Sequence, residues 1–170
     1  MCALFGSSRD VSFIRKMNRE IMQDIITQQC AFYKYNLKET TTNIYGEASK
    51  GKTFDGPTLL NALITVGDVT SPTSDLGVNF DWPMSFAFLR DDLVEANLFP
   101  EVGDVILYQE SYWEVDNTNA SSFFAGKDPD YDYAQNPLNP GLSEFGYNVS
   151  VICECHYVPS DRLGILKSRM

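Results

Sequence analysis

The segment Gly46–Thr53 (GEASKGKT) matches the phosphate-binding pattern G-x-x-x-x-G-K-[ST] at every fixed position. Phosphate binding needs a strand before this loop and a helix after it, because amides at the helix N-terminus hold the phosphates. Here a Gly56-Pro57 pair falls where the first turn of that helix would be. We therefore expect a loop between strands with Lys50 and Lys52 exposed, and a nucleotide-binding enzyme is the least favoured alternative.

The second candidate motif is the acidic segment Asp128–Asp132 (DPDYD), which matches the first three acidic positions of a calcium-binding loop. Tyr133 stands at the sixth position in place of glycine, and Asn139 stands at the twelfth in place of glutamate. These departures favour a solvated acidic turn over a cation site.

The third candidate is the pair Cys153 and Cys155 next to His156, the only histidine. On a strand the two thiols share one face while His156 lies on the other, so the three cannot converge on one zinc ion. The cysteines are expected to act as small buried apolar residues. The chain also lacks the G-x-S-x-G pattern of many hydrolases. We expect neither catalysis nor a bound cofactor or metal.

The charge of the chain excludes a general nucleic-acid-binding groove, because 13 basic residues stand against 23 acidic ones for a net charge of −10. The distribution is uneven. Residues 1–52 carry eight basic and five acidic residues, whereas residues 53–158 carry two basic and 17 acidic ones. Basic ends on an acidic body predict contacts with partners of opposite sign, and a solubilising acidic surface is the alternative.

Length and composition indicate one soluble domain over residues 1–170, made in the cytoplasm, with no membrane-spanning segment. Four cysteines are too few for a disulfide framework. The predicted parts are a helical arm at 1–30, a β-barrel at 31–158 with long loops at 38–57 and 120–145, and a basic C-terminal tail at 159–170.

A long helix is predicted over Arg9–Gln28, where Ile14, Met17 and Ile21 recur at helical spacing. Such a helix would be a rod of roughly 30 Å. The pattern leaves open whether it docks on its own domain or on a partner.

After Cys30 the hydrophobic pattern alternates, which is typical of strands. A short helix is expected at Asp91–Asn97, and a hairpin with the three-residue turn Gln109–Ser111 is expected further on. The pattern predicts a mainly β fold, a small antiparallel β-barrel or sandwich behind the N-terminal helix. The strand candidates are Leu59–Val66, Val78–Trp82, Ser85–Leu89, Val105–Tyr108, Tyr112–Asn117 and Tyr147–Val158.

The predicted loop Ala120–Phe145 carries more aromatic residues than it can bury locally, which suits contact with another subunit. A loop packed on its own barrel is the alternative. The candidate residues for subunit or partner contact come from this loop, the helix, the glycine-rich segment and the tail: Ile14, Met17, Ile21, Lys50, Lys52, Phe123, Phe124, Tyr131, Tyr133, Arg162 and Lys167.

Over residues 10–165 the order of several phrases resembles the neck, or head-closure, proteins of T4-like contractile-tailed bacteriophages. The phrases are Asn43–Glu47, Phe88–Leu93, Phe99–Ile106, Tyr112–Asp116, Phe123–Asp130 and Glu144–Glu154.

The resemblance implies a virion structural protein, made in the host bacterial cytoplasm, that forms a homo-oligomeric ring, a hexamer, at the head-to-tail interface. The expected partners are a portal or adaptor neck protein above and a tail terminator protein below. An acidic channel would let DNA pass without tight binding. Another phage tail component, such as a tail terminator or a baseplate piece, is the alternative.

Overall fold

Six antiparallel strands close into a barrel in the computed structural model, which describes residues 8–40, 52–69, 73–74, 77–78, 82–123 and 148–163. The order around the barrel is β1-β2-β5-β8-β7-β6, and pairing of β6 with β1 closes it. The mainly β fold is thus confirmed, as a barrel. The strands are β1 Gln29–Tyr35, β2 Phe54–Val66, β5 Pro83–Leu89, β6 Val105–Tyr108, β7 Ser111–Phe123 and β8 Asn148–Val158, with β3 Thr73–Ser74 and β4 Gly77–Val78 forming a separate pair.

The barrel interior is filled by the alternate residues of each strand. Phe32, Phe86 and Trp113 are almost completely buried, and Phe32 and Phe88 meet edge to face with ring centroids 5.9 Å apart. Cys30, Cys153 and Cys155 belong to the same interior cluster. The role expected of Cys153 and Cys155, as small apolar core residues, is confirmed by this position.

A second apolar cluster lies on the outer face of the barrel and includes Ala31, Tyr33 and Val105. The helix α3, Ser160–Leu163, places the buried side chain of Leu163 in this cluster. The segment predicted as a basic C-terminal tail, 159–170, therefore begins with a short helix that Leu163 docks on the barrel.

The N-terminal helix is confirmed as α1, Ser8–Glu20, followed by π-helical turns at Ile21–Ile26. Thr27 adopts a left-handed conformation with φ of +49°, and its amide donates to the Met22 carbonyl at 3.1 Å. This ends the helix and turns the chain into β1.

The short internal helix is confirmed as α2, Arg90–Glu95, directly after β5. Its buried Leu93 joins the interior cluster of the barrel. Apolar anchoring through Leu93 fixes α2 on the barrel, with Asp91 of its first turn partly exposed and Asp92 largely buried.

The buried carboxylate of Asp104 holds the loop between α2 and β6 against β1. Its Oδ1 accepts the Tyr35 amide at 2.9 Å, while its Oδ2 accepts the Glu101 amide at 2.7 Å and the Lys34 ammonium at 3.0 Å. A buried carboxylate is tolerated because these donors replace water.

The hairpin between β6 and β7 is confirmed, but its predicted three-residue turn is wrong. Ser111 pairs with Tyr108, so the turn holds only Gln109 and Glu110. Both have positive φ, +47° and +65°, as a type I′ turn requires.

Three element boundaries also differ from the sequence prediction. The loop expected at 38–57 ends earlier, since β2 begins at Phe54; within β2, Gly56 has φ of +131°, and a Cβ there would lie 2.9 Å from the Phe32 carbonyl oxygen. The loop expected at 120–145 begins later, because β7 continues to Phe123 through irregular pairing. In the region of Val78–Trp82, β4 ends at Val78 and β5 begins only at Pro83.

Candidate interaction surface

The helix α1 is held against α2 by ion pairs, a group of contacts we call the α1–α2 ion-pair cluster. Arg15 Nε lies 3.0 Å from Asp91 Oδ2. Arg19 contacts two carboxylates, with Nη1 at 2.7 Å from Glu95 Oε1 and Nε at 3.2 Å from Asp92 Oδ1. Two-point contacts of this kind orient a guanidinium as well as attract it.

The electrostatics of this cluster differ between its two central carboxylates. Burial raises the pKa of Asp92, although the Arg19 charge and the hydrogen bond from Gln23 act to lower it. The hydrogen bond from Arg19 lowers the pKa of Glu95, which is exposed. The same contact raises the pKa of Arg19. Burial of Asp92 thus opposes the ionised form of this carboxylate, whereas the Arg19 charge favours it.

On the same helix, Phe13, Met17, Ile21 and Ile25 form an exposed apolar row that we call the stripe. These residues recur every fourth position, as do Arg15, Arg19 and Gln23, but the two rows are offset by two residues. At roughly 100° per residue this offset puts them on opposite sides of the helix. The helix thus docks on its own chain by the side that carries the arginines and the buried Met22.

The stripe is far more exposed than the apolar side of an amphipathic helix normally is. Phe13 is 63% exposed and Ile25 is 75% exposed. The four side chains together present on the order of 400 Å² of apolar surface, a size typical of interaction sites on soluble proteins. Within the described part of α1 and the π-helical turns, Met22 is the buried residue.

A second apolar surface lies on β2; it consists of Leu59 and Leu63, and we call it the β2 patch. Leu59 and Leu63 point to the outer face of the barrel, since the alternate residues Leu60 and Ala62 are buried inside it. Leu59 is 59% exposed and Leu63 is 46% exposed. Val66 is exposed at the strand end but lies on the other face, because it pairs with Met84 of the interior cluster.

The structure brings three predicted contact residues together on α1 and its π-helical turns. Met17 and Ile21 belong to the stripe, and Ile14 is half-buried beside it. Lys52 differs from the expectation of an exposed lysine: its ammonium pairs with Glu114 and lies 5.9 Å from the ring centroid of Tyr35. The strand β2 follows Lys52 within two residues, where a phosphate-binding loop would need a helix.

For two further predicted contact residues the structure gives the element in which each lies. Phe123 is the last residue of β7, and Arg162 lies in α3. The calcium-like motif Asp128–Asp132 lies outside the described residues. The remaining predicted contact residues also lie outside them: Lys50, Phe124, Tyr131, Tyr133 and Lys167.

Burial makes the thiols of the three described cysteines poor nucleophiles, because it disfavours the thiolate. Burial raises the pKa of Cys30 and of Cys153 to about 12, and it also raises that of Cys155. His156 lies on the outer face, with Nδ1 2.8 Å from the Asp116 carboxylate. Across the ranges that the structure describes, no three His, Cys, Asp or Glu residues form a group able to hold a metal ion.

Half of the eight basic residues in 1–52 form ion pairs within the part of the chain that the structure describes. These four basic residues pair with acidic residues of the later sequence: Arg15, Arg19, Lys34 and Lys52. These pairs dock the N-terminal region on its own body, a use of the charge asymmetry that the sequence does not predict.

Sequence reasoning missed the outward leucines of the β2 patch and the arginines of the ion-pair cluster. The apolar run Leu59-Leu60 carries leucines on both strand faces, and this lack of alternation is the signal for the patch. For the arginines no local signal exists, because their partners lie 76 residues away.

Comparisons with family models and with curated proteins found no match to this chain. In the described ranges there is no helix that combines the length and apolar character needed to cross a bilayer. The function is therefore inferred from the fold, the exposed surfaces and the resemblance in the sequence.

Proposed function

We propose that this chain is a non-enzymatic structural protein of the phage virion, forming a ring, a hexamer, in the neck. The ring would close the DNA-filled head and connect the portal or adaptor protein to the tail terminator. The observation that carries the proposal is the exposed stripe on a helix that α2 holds by the opposite side. Its phage context comes from the resemblance in the sequence.

The stripe supports self-assembly because an apolar patch of several hundred Å², the size of the largest patch on a typical soluble monomer, is often a functional surface. At about 25 cal/mol per Å², burying roughly 400 Å² would contribute on the order of 10 kcal/mol before the entropic cost of association. The ion-pair cluster holds the stripe in one orientation, which reduces the ordering cost of binding.

The acidic body supports a channel that DNA passes without adhering. Residues 53–158 carry 17 acidic and two basic residues, and a wall of this sign repels the phosphate backbone. Tight binding of duplex DNA to the purified protein at physiological salt would contradict this part of the proposal.

The assembly is tested by native mass spectrometry and negative-stain electron microscopy of the full chain at micromolar concentration. We expect closed rings with a central opening. Met17→Gln combined with Ile21→Gln should dissociate them, whereas the matched control Lys16→Gln with Glu20→Gln, at exposed polar positions of the same helix, should not. A monomer at every concentration would overturn the ring.

The location is tested by immunogold labelling of virions of the phage that encodes the chain. Label at the head-to-tail junction is expected. Label at the far end of the tail would overturn the neck and favour the baseplate alternative. No label on intact virions or on particles opened at the neck would overturn a virion role altogether.

A further inference from the structure

We infer that the stripe of one copy packs against the β2 patch of the next, so that copies join head to tail; this inference rests on the proposed function. The two surfaces belong to different elements, a helix and the outer face of a sheet. A helix on a sheet face is a standard layer arrangement, which places the apolar side of each against the other.

The exposed area favours this pairing over contact between two stripes. The stripe and the β2 patch together expose on the order of 600 Å² of apolar surface per copy. Head-to-tail contact covers both surfaces of every copy, whereas stripe-to-stripe contact covers only roughly 400 Å² per copy and leaves the β2 patch in water.

The combined area is also sufficient for a specific interface. Interfaces are about 57% apolar, so roughly 600 Å² of apolar surface corresponds to a total of about 1,000 Å² once a polar rim is included. That value meets the roughly 1,000 Å² expected of a specific protein interface.

Symmetry separates the two arrangements. A contact between identical surfaces stops at a dimer, while a contact between two different surfaces leaves one of each free and continues until a ring closes. The presence of two distinct apolar surfaces on one chain therefore matches the ring, and the second copy is the occupant of the β2 patch.

Chemical cross-linking tests the pairing. Met17→Cys and Leu63→Cys chains are made separately in a Cys2→Ser background, in which the three described native thiols are buried, then mixed and treated with a short bismaleimide. We expect covalent dimers in the mixture at a level at least about tenfold above that of either chain alone, because each contact joins different surfaces. A chain carrying both substitutions should give a ladder of multimers.

The matched control replaces the acceptor leucine with Leu37→Cys, an exposed leucine outside both surfaces, which should not couple to Met17→Cys. Strong self-coupling of Met17→Cys would show stripe-to-stripe contact and overturn the inference. Rings in native mass spectra without coupling between positions 17 and 63 would overturn it too, but would leave the ring itself standing. Monomers throughout would overturn both proposals.

Discussion

Arg15 in α1 and Asp91 in α2 form a two-point ion pair across 76 residues of sequence, with Arg15 Nε donating to Asp91 Oδ2 at 3.0 Å. Because this pair and the Arg19 contacts face α2, the apolar row on the other side of α1 points away from the chain. The relationship leaves the apolar side of an amphipathic helix exposed, where a helix of this kind usually packs on a core.

Reversing the charge of Arg15 should loosen α1. Arg15→Asp is expected to lower the free energy of unfolding by up to about 1 kcal/mol, as for a partly exposed ion pair, and to speed amide exchange over residues 12–26. Adding Asp91→Arg should restore protection by rebuilding the pair with opposite polarity. Hydrogen exchange mass spectrometry measures both, and equal exchange in all three proteins would contradict the orienting role.

The contributions of Asp92 and Glu95, the two carboxylates next to Arg19, to the free energy of unfolding should change with pH in opposite directions. Asp92 has a raised pKa in the folded state, so its contribution favours folding at low pH and is lost as pH rises through that pKa. The free energy of unfolding of Asp92→Asn minus that of the wild type should therefore increase from pH 3.5 to pH 7, by about 1 kcal/mol or less.

Glu95→Gln is the matched control for this pH dependence. Glu95 has a lowered folded pKa, so its contribution is present at neutral pH and is lost as pH falls. The same difference from wild type should then decrease as pH rises. Urea unfolding at both pH values measures the two slopes, and slopes of equal sign would contradict the assignment.

Substitutions in the turn between β6 and β7 should stabilise the protein. Gln109 and Glu110 hold positive φ, which costs free energy for residues with a Cβ. Gln109→Asn with Glu110→Gly should raise the free energy of unfolding by about 0.5–1 kcal/mol, whereas Glu110→Ala should not. A loss of stability on introducing Asn-Gly would contradict a type I′ turn.

The buried thiols should resist alkylation. With the pKa of Cys30 and Cys153 raised to about 12, a thiolate fraction of roughly 10⁻⁴ is expected at pH 8. N-ethylmaleimide followed by peptide mass analysis should leave Cys30, Cys153 and Cys155 unmodified in the native protein and modify them in urea. Rapid native modification of any of the three would contradict their burial.

The sequence predicts the elements of this fold better than their partners. Helical spacing in Arg9–Gln28 locates α1, but a periodic apolar face has the same appearance whether it packs on its own barrel or on another copy. The polar end of β7, Ala120–Phe123, lacks the alternation that marks a strand, and its pairing with β8 supplies the order instead. Burial of Leu163 likewise depends on contacts distant in sequence.

Every strand of the barrel has a hydrogen-bonded neighbour on both sides, and the contacts proposed between copies are made by side chains and add no strand to it. Within the proposed ring, the way in which copies meet would depend on how α1 is oriented on its own chain. Because partly exposed ion pairs hold α1 on α2, salt that screens Arg15 and Arg19 should broaden the distribution of ring sizes before it dissociates the rings.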